Sequence, residues 1–167
     1  MVAYKRPKSL KDMLVKAKIP TPPNRKSKRV LCGMKKCLSC TICPFVEEGH
    51  KVKSSNSSFI CDINKPVTCN TENVIYAISC KKCNEQYIGQ TGRQFKQRMQ
   101  EHLGYIRNKK MTEPTGKHFN QPGHNISMFS CSILEKCQIG SKTYRETKEE
   151  HFIKLFQTKF KGMNKKL

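Results

Sequence analysis

"VIYAISCKKCNEQYIGQTGR", residues 74–93, sets how the rest of the chain is read. Two apolar-aromatic triplets, Val74-Ile75-Tyr76 and Tyr87-Ile88-Gly89, flank a Cys80-x2-Cys83 pair. Residues 73–79 alternate and are β-branched, which predicts a strand. Residues 86–90 predict its partner, and the short polar loop between them predicts a hairpin. A tight turn that aims two thiolates at one point is half of a tetrahedral zinc site. His118 and His124, spaced H-x5-H around a Pro-Gly turn, supply the other half if that segment packs over the hairpin. The competing reading is a pair of thiols and two surface imidazoles.

Downstream, Thr91-Gly92-Arg93-Gln94 reads as a T-x-x-Q capping box. It predicts a helix over 92–108, with Phe95, Met99, His102 and Ile106 on one face. Arg98 and His102 are four residues apart and point the same way. A short helix is predicted over 113–124, broken by Gln121-Pro122-Gly123. A third strand follows over 126–134 and a last helix over 141–158. On that helix Phe152, Ile153 and Phe156 mark an apolar arc, at about 100° per residue. The arc contains Glu149 and leaves Glu150 outside. A carboxylate on a buried face is costly unless paired or bound to a metal. Glu149 is therefore a candidate ligand for Mg²⁺, which takes one or two carboxylates plus waters and phosphate oxygens. An ion pair with Lys148 or Arg145 is the alternative. The order β-β-α-(α)-β-α describes a small α+β domain, a three-stranded antiparallel sheet flanked by helices.

Upstream lies Cys32-x4-Cys37-x2-Cys40-x2-Cys43, then His50, Cys61 and Cys69. Residues 32–72 show little apolar periodicity, so a metal must do what a core does elsewhere. Cys32, Cys37 and Cys40 are expected to hold a second Zn²⁺. Cys69 is preferred as the fourth ligand because it ties this segment to the first strand, while Cys43 is nearer in sequence. Cys131 and Cys137 read as ordinary buried thiols. Residues 1–31 hold ten Lys and Arg against one Asp and read as a basic linker or nucleic-acid-contacting arm. Three regions result: 1–31, a zinc-binding segment over 32–72, and a domain over 73–167.

The whole chain of 167 residues carries 33 Lys and Arg against 12 Asp and Glu, a formal charge of +21. So large an excess calls for a polyanion, because each neutralised phosphate releases counterions. DNA is the first choice and RNA the second. Residues 1–18 carry six Lys and Arg and no apolar run, unlike a signal peptide. No stretch approaches the roughly 18 apolar residues of a membrane span. A nuclear or cytoplasmic, reducing location is expected rather than secretion. There, C-x2-C spacings read as metal sites and not as disulfides.

Val74-Ile75-Tyr76 and Tyr87-Ile88-Gly89, taken with Arg98, His102, Glu149 and Asn164, resemble the signature of GIY-YIG endonucleases. Val74 departs from the glycine of the name, at a position that contributes backbone. The inserted knuckle, the His pair, the upstream cysteines and the lead-in "SLKDMLVKAKIP" are similar to the C-terminal endonuclease region of Penelope-like retroelements. The resemblance implies that Tyr76 and Tyr87 are the site tyrosines, Arg98 the catalytic arginine and His102 the residue at a His-or-Tyr position. It implies that Glu149 binds the catalytic Mg²⁺ and that Asn164 braces the site. The expected reaction is nicking of DNA by metal-assisted hydrolysis, with Arg98 on the transition-state charge and Tyr76 or His102 taking the water's proton. A 3′-hydroxyl remains, which in such elements primes reverse transcription. The upstream reverse transcriptase of such an element is absent here, so the chain reads as a C-terminal portion. The alternatives are a non-catalytic zinc-stabilised nucleic-acid-binding module and a host structure-specific repair nuclease.

Overall fold

The structure, a computed structural model, describes residues 1, 32–138 and 141–164. The basic arm expected over 1–31 therefore lies outside the described residues, Met1 apart. Among the described residues the strands are β1 (Gly33–Lys35), β2 (Lys51–Lys53), β3 (Ile60–Asp62), β4 (Pro66–Thr68), β5 (Val74–Cys80), β6 (Gln86–Thr91) and β7 (Phe129–Lys136). The helices are α1 (Phe95–Arg107), α2 (Pro114–Phe119), α3 (Lys142–Phe156) and α4 (Thr158–Lys161). No helix among them is long and apolar enough to cross a membrane.

The central sheet is antiparallel in the order β6-β5-β7. β5 is covered on both faces, so its apolar run is nearly continuous and the alternation expected over 73–79 does not hold. Tyr76 and Ile78 join Phe95, Met99 and Leu103 of α1 in one core cluster. Ile75 and Ala77 join Phe152 and Phe156 of α3 in the other. Tyr76 lies opposite Gly89 and Ile78 opposite Tyr87. The side-chain period of two therefore puts both tyrosines on one face, as diagonal neighbours. The register between β5 and β7 slips between Ile75 and Tyr76. Such a bulge bends a strand and re-aims the side chain beside it.

Two expectations change. The capping box does not form: the cap residue is Gln94, its side chain makes no capping bond, and the helix begins at Phe95. Thr91 Oγ1 instead accepts from Arg93 N at 3.0 Å. The first-turn amides are satisfied from a distance, Phe95 N by Thr71 O and Lys96 N by Cys69 O, both at 2.9 Å. The last helix, expected to run to 158, stops at Phe156, where Gln157 turns left-handed with φ 54°; the chain then re-forms a single helical turn, α4.

The cysteine-rich segment is less irregular than its sequence suggests. β1 pairs with β4 in parallel and β2 with β3 antiparallel. Met34, Ile42, Val46 and Val67 share a cluster with Tyr76, Phe95 and Phe129, and Phe45 meets Phe129 edge-on at 5.8 Å. Val46 bridges Cys131 on β7, with Glu47 N bonded to Cys131 O at 3.0 Å.

Candidate active site and metal centres

Arg98 leaves α1 toward β5, and its Nε donates to Tyr76 Oη at 3.0 Å. Nη1 pairs with Glu101, one turn on, at 2.8 Å. Glu101 in turn holds Arg93 at 2.6 Å. Two sides of the guanidinium are thus fixed, and the side chain keeps 23% of its surface. Glu101 was not expected, although the i, i+3 spacing from Arg98 is a signal for such a pair.

Behind Arg98 lies a buried polar chain. Tyr76 is fully buried and His102 is 2% exposed. Tyr76 Oη meets His102 Nε2 at 2.8 Å, and His102 Nδ1 meets Thr115 Oγ1 at 3.0 Å. Burial pushes the Tyr76 phenol up, with Tyr87 adding and Arg98 opposing. Burial, then the Arg98 charge, draws His102 down to about 3. At neutral pH both are uncharged. Gly89 explains the tight seal: a Cβ there would stand 2.5 Å from Tyr76 Oη. Tyr76 and His102 are closed to solvent, whereas Tyr87 is only partly buried. The two tyrosine rings are 6.4 Å apart.

Glu149 comes from α3, which packs on the opposite face against Ile75 and Ile88 and contacts the edge strand β6. It is half-buried, whereas Glu146 and Glu150 are exposed, as the helical arc indicated. It makes no hydrogen bond or ion pair with any described residue. The partners of the alternative reading are engaged elsewhere: Lys148 pairs with Glu135 at 3.0 Å, and Arg145 donates to Gln90 at 3.0 Å and Asn73 at 2.9 Å. Burial pushes Glu149 up to about 7, Arg98 opposing and Glu146 and Glu150 adding. Its charge also acts on Tyr76 and Tyr87, so the carboxylate lies within electrostatic reach of both phenols and of Arg98. A half-buried carboxylate without a partner fits a divalent cation.

Asn164 closes the open edge of β6. It accepts from Ile88 N and donates to Ile88 O, each at 2.7 Å, as a neighbouring strand would. Met163 N adds a bond to Gln86 O at 2.9 Å. Asn164→Ala removes two bonds worth about 0.5–1.5 kcal/mol each. It should lower the melting temperature by roughly 2–12 °C at that cost for a chain of this size, measured by calorimetry.

The surface beside Arg98 is a shallow groove of about 270 Å³, lined by Gln90, Gly92, Arg93, Lys142 and Arg145. A cleft of about 650 Å³ between Phe59, Leu134, Tyr144 and Phe152 includes none of Tyr76, Tyr87, Arg98 or Glu149. The site is an open cationic track suited to an extended polyanion, not a cavity that engulfs a small molecule.

Two groups of side chains suit zinc. Cys80, Cys83, His118 and His124 bring one ligand atom each within 4.8 Å of the others. The knuckle closes through Asn84 N to Cys80 O at 2.8 Å, with Asn84 left-handed at φ 61°. Cys83 Sγ stands 3.4 Å from His118 Nε2. His118 Nδ1 faces Glu85 at 3.6 Å, the second partner that metal-bound imidazoles commonly have. Both ring nitrogens of His124 are buried with no hydrogen-bond partner. A metal on either would remove that cost, so the residues fit the ion.

The second group is Cys37, Cys40, Cys43 and Cys69. Sulfurs around Zn²⁺ at about 2.3 Å stand about 3.8 Å apart. Here Cys43 is 3.6 Å from Cys37, 3.4 Å from Cys40 and 3.9 Å from Cys69. Of the expected set, Cys37, Cys40 and Cys69 are brought together and Cys32 is not. Cys32 bonds instead to Asn64 O at 3.2 Å, and Cys43 completes the group. The reason is local: Cys43 opens a 3-10 turn whose amide bonds back to Cys40 O at 3.2 Å, which turns its thiol inward. Cys131 and Cys137 are buried and belong to neither group.

Among known families, the GIY-YIG catalytic domain model matches residues 72–164. No curated protein and no solved structure matches the chain.

Proposed function

This chain belongs to the GIY-YIG catalytic domain family, a family of nucleases, and from that premise we propose that it is a metal-dependent endonuclease that nicks DNA and leaves a 3′-hydroxyl. The observation that supports this reading is the Arg98 guanidinium, anchored on Tyr76 and Glu101 and within electrostatic reach of the half-buried Glu149. A cation such as Mg²⁺ on Glu149 would supply Lewis-acid stabilisation at the leaving 3′ oxygen. Arg98 binds the phosphoryl oxygens as their charge grows in the transition state. Tyr76 and His102 hold Arg98 from behind. Tyr87 Oη accepts a hydrogen bond from the attacking water and orients it for in-line approach, the proton leaving into the open groove. The charge of +21 holds the duplex to the groove with little regard to sequence.

The two cysteine centres would be structural zinc sites, since four protein ligands leave no position for chemistry. The knuckle between the triplets, the upstream cysteines and the basic lead-in support an origin in a Penelope-like retroelement. On that reading the 3′-hydroxyl primes reverse transcription by a polymerase supplied with the element, in a reducing compartment that keeps the thiols available.

Supercoiled plasmid with Mg²⁺ tests the activity. Wild type should yield nicked circles whose ends a DNA polymerase extends without prior phosphatase treatment. Glu149→Ala should lower the rate by roughly 10²-fold or more while leaving zinc content and melting temperature close to wild type. Tight DNA binding with no nicking by wild type would favour the binding-module reading. Cleavage confined to branched or damaged DNA would favour a repair nuclease.

A further inference from the structure

Thr115 takes no part in the chemistry proposed above, yet it is a fully buried polar side chain whose hydroxyl lies 3.0 Å from His102 Nδ1. What it does follows from counting donors. Arg98 has no acceptor, so in its 3.0 Å contact with Tyr76 the phenol oxygen accepts from Nε. The phenol's own hydrogen then needs an acceptor. Tyr76 has no exposed surface, and its other polar partner is His102 Nε2 at 2.8 Å. If Nε2 accepts, the ring proton of this neutral imidazole is on Nδ1, pointing at Thr115 Oγ1. One direction of donation then runs through the chain: Arg98 to Tyr76 to His102 to Thr115.

The opposite tautomer has a cost that reaches Arg98. A proton on Nε2 would be donated to the same phenol oxygen that Arg98 uses, and the buried phenol hydrogen would lose its acceptor, whereas a proton on Nδ1 leaves the Thr115 hydroxyl hydrogen without an acceptor among the described residues but keeps the phenol oxygen for Arg98.

The position of Thr115 is itself held. Asn120 Nδ2 donates to Ile106 O at 3.0 Å and Gly116 O at 2.8 Å, clamping α2 to the end of α1. A Cβ on Gly116 would collide with Lys110 O, so α2 lies directly against the chain leaving α1. One turn beyond Thr115, His118 belongs to the Cys80, Cys83, His124 group. The short helix thus joins the metal knuckle to the buried chain.

We propose that Thr115 is a positioning residue for Arg98: it keeps the His102 proton on Nδ1, so that Nε2 accepts from Tyr76 and the Tyr76 oxygen is left to Arg98. That Arg98 acts on the scissile phosphate rests on the function proposed above; the placement of the ring proton does not.

The test uses the full chain with ¹⁵N-labelled histidine, loaded with zinc. Long-range ¹H–¹⁵N spectra report the tautomer of each ring, and His102 is identified by the signals missing in His102→Gln. Wild type should show the Nδ1–H form. Thr115→Val, which keeps the shape and removes the acceptor, should shift His102 toward Nε2–H. Its nicking turnover should fall roughly 10–100-fold, as expected for a misplaced catalytic group, with DNA affinity and zinc content unchanged. Thr115→Ser should restore both the spectrum and the rate. The proposal is overturned by an Nε2–H ring in wild type, by a Thr115→Val protein with wild-type spectrum and turnover, or by a serine variant as impaired as the valine one. If wild type does not nick DNA, the endonuclease reading fails and the ring spectra alone decide the placement. If the valine variant does not fold, wild type and the serine variant still decide it.

Discussion

Arg98→Ala should slow plasmid nicking by roughly 10³-fold, the scale of removing an arginine that stabilises a phosphoryl-transfer transition state, while duplex affinity changes by less than about ten-fold. The two effects separate because binding and catalysis draw on different charges. Binding is spread over many of the 33 Lys and Arg, and one lost phosphate contact lowers the salt slope by only about one unit. On the proposed mechanism, catalysis draws on the Arg98 guanidinium, which Tyr76 and Glu101 hold at fixed orientation. Arg98→Lys should lose nearly as much. An ammonium is a single point, and it cannot reach Tyr76, Glu101 and a phosphate at once. Arg93→Ala makes the comparison. Arg93 shares Glu101 but is 61% exposed, and exposed pairs contribute little; its loss should leave turnover within a few-fold. Wild-type nicking by Arg98→Ala would leave the Tyr76–Arg98 contact as architecture without chemistry.

The parts of this site that were legible in the sequence are those whose geometry is set by local periodicity. Local pattern marked β5 and β6 as strands and a period of 3.6 separated Glu149 from Glu150, whereas the shared face of Tyr76 and Tyr87 follows from the strand register. Where a distant segment decides, the reading failed. Thr91 through Gln94 has the letters of a capping box, but the carbonyls of Cys69 and Thr71 reach the amides first. Nothing within residues 91–97 announces that competition. The upstream strands are three residues each, too short for alternation to register, and β1 finds β4 thirty residues on. Thr115 was invisible for the same reason. It becomes polar machinery only because α2 is clamped beneath His102.

The second cysteine group shows what such distant contacts do for stability, and it gives the other large expected effect. Cys69 Sγ is buried in the core that holds Tyr76 and Phe95, and its carbonyl caps α1 through Lys96 N. From the other side of the centre, Thr41 Oγ1 accepts from Gln100 of α1 at 3.0 Å. Burial pushes the Cys69 thiol up, whereas the Ser39 backbone, then Cys40 and the Ser39 hydroxyl, draw Cys37 down to about 6. A cation resolves the mismatch by holding all four sulfurs as thiolates. Structural zinc commonly supplies about 10–16 kcal/mol of apparent binding free energy, against a total stability of about 5–15 kcal/mol for a domain. Cys69→Ser should therefore remove one zinc per chain and leave little folded protein at 37 °C, seen as loss of the cooperative melting transition. Cys43→Ser should behave alike. Cys32→Ser should keep both zinc ions and melt within a few degrees of wild type, because its sulfur lies against Asn64 O outside the group. The opposite ranking, with Cys32→Ser losing the metal and Cys43→Ser keeping it, would move the ligand set to Cys32, Cys37, Cys40 and Cys69. A strong chelator added to wild type at neutral pH should remove both zinc ions and abolish the cooperative melting transition, and added zinc should restore it. Nicking should disappear with α1, since the helix that loses its cap is the one that carries Arg98.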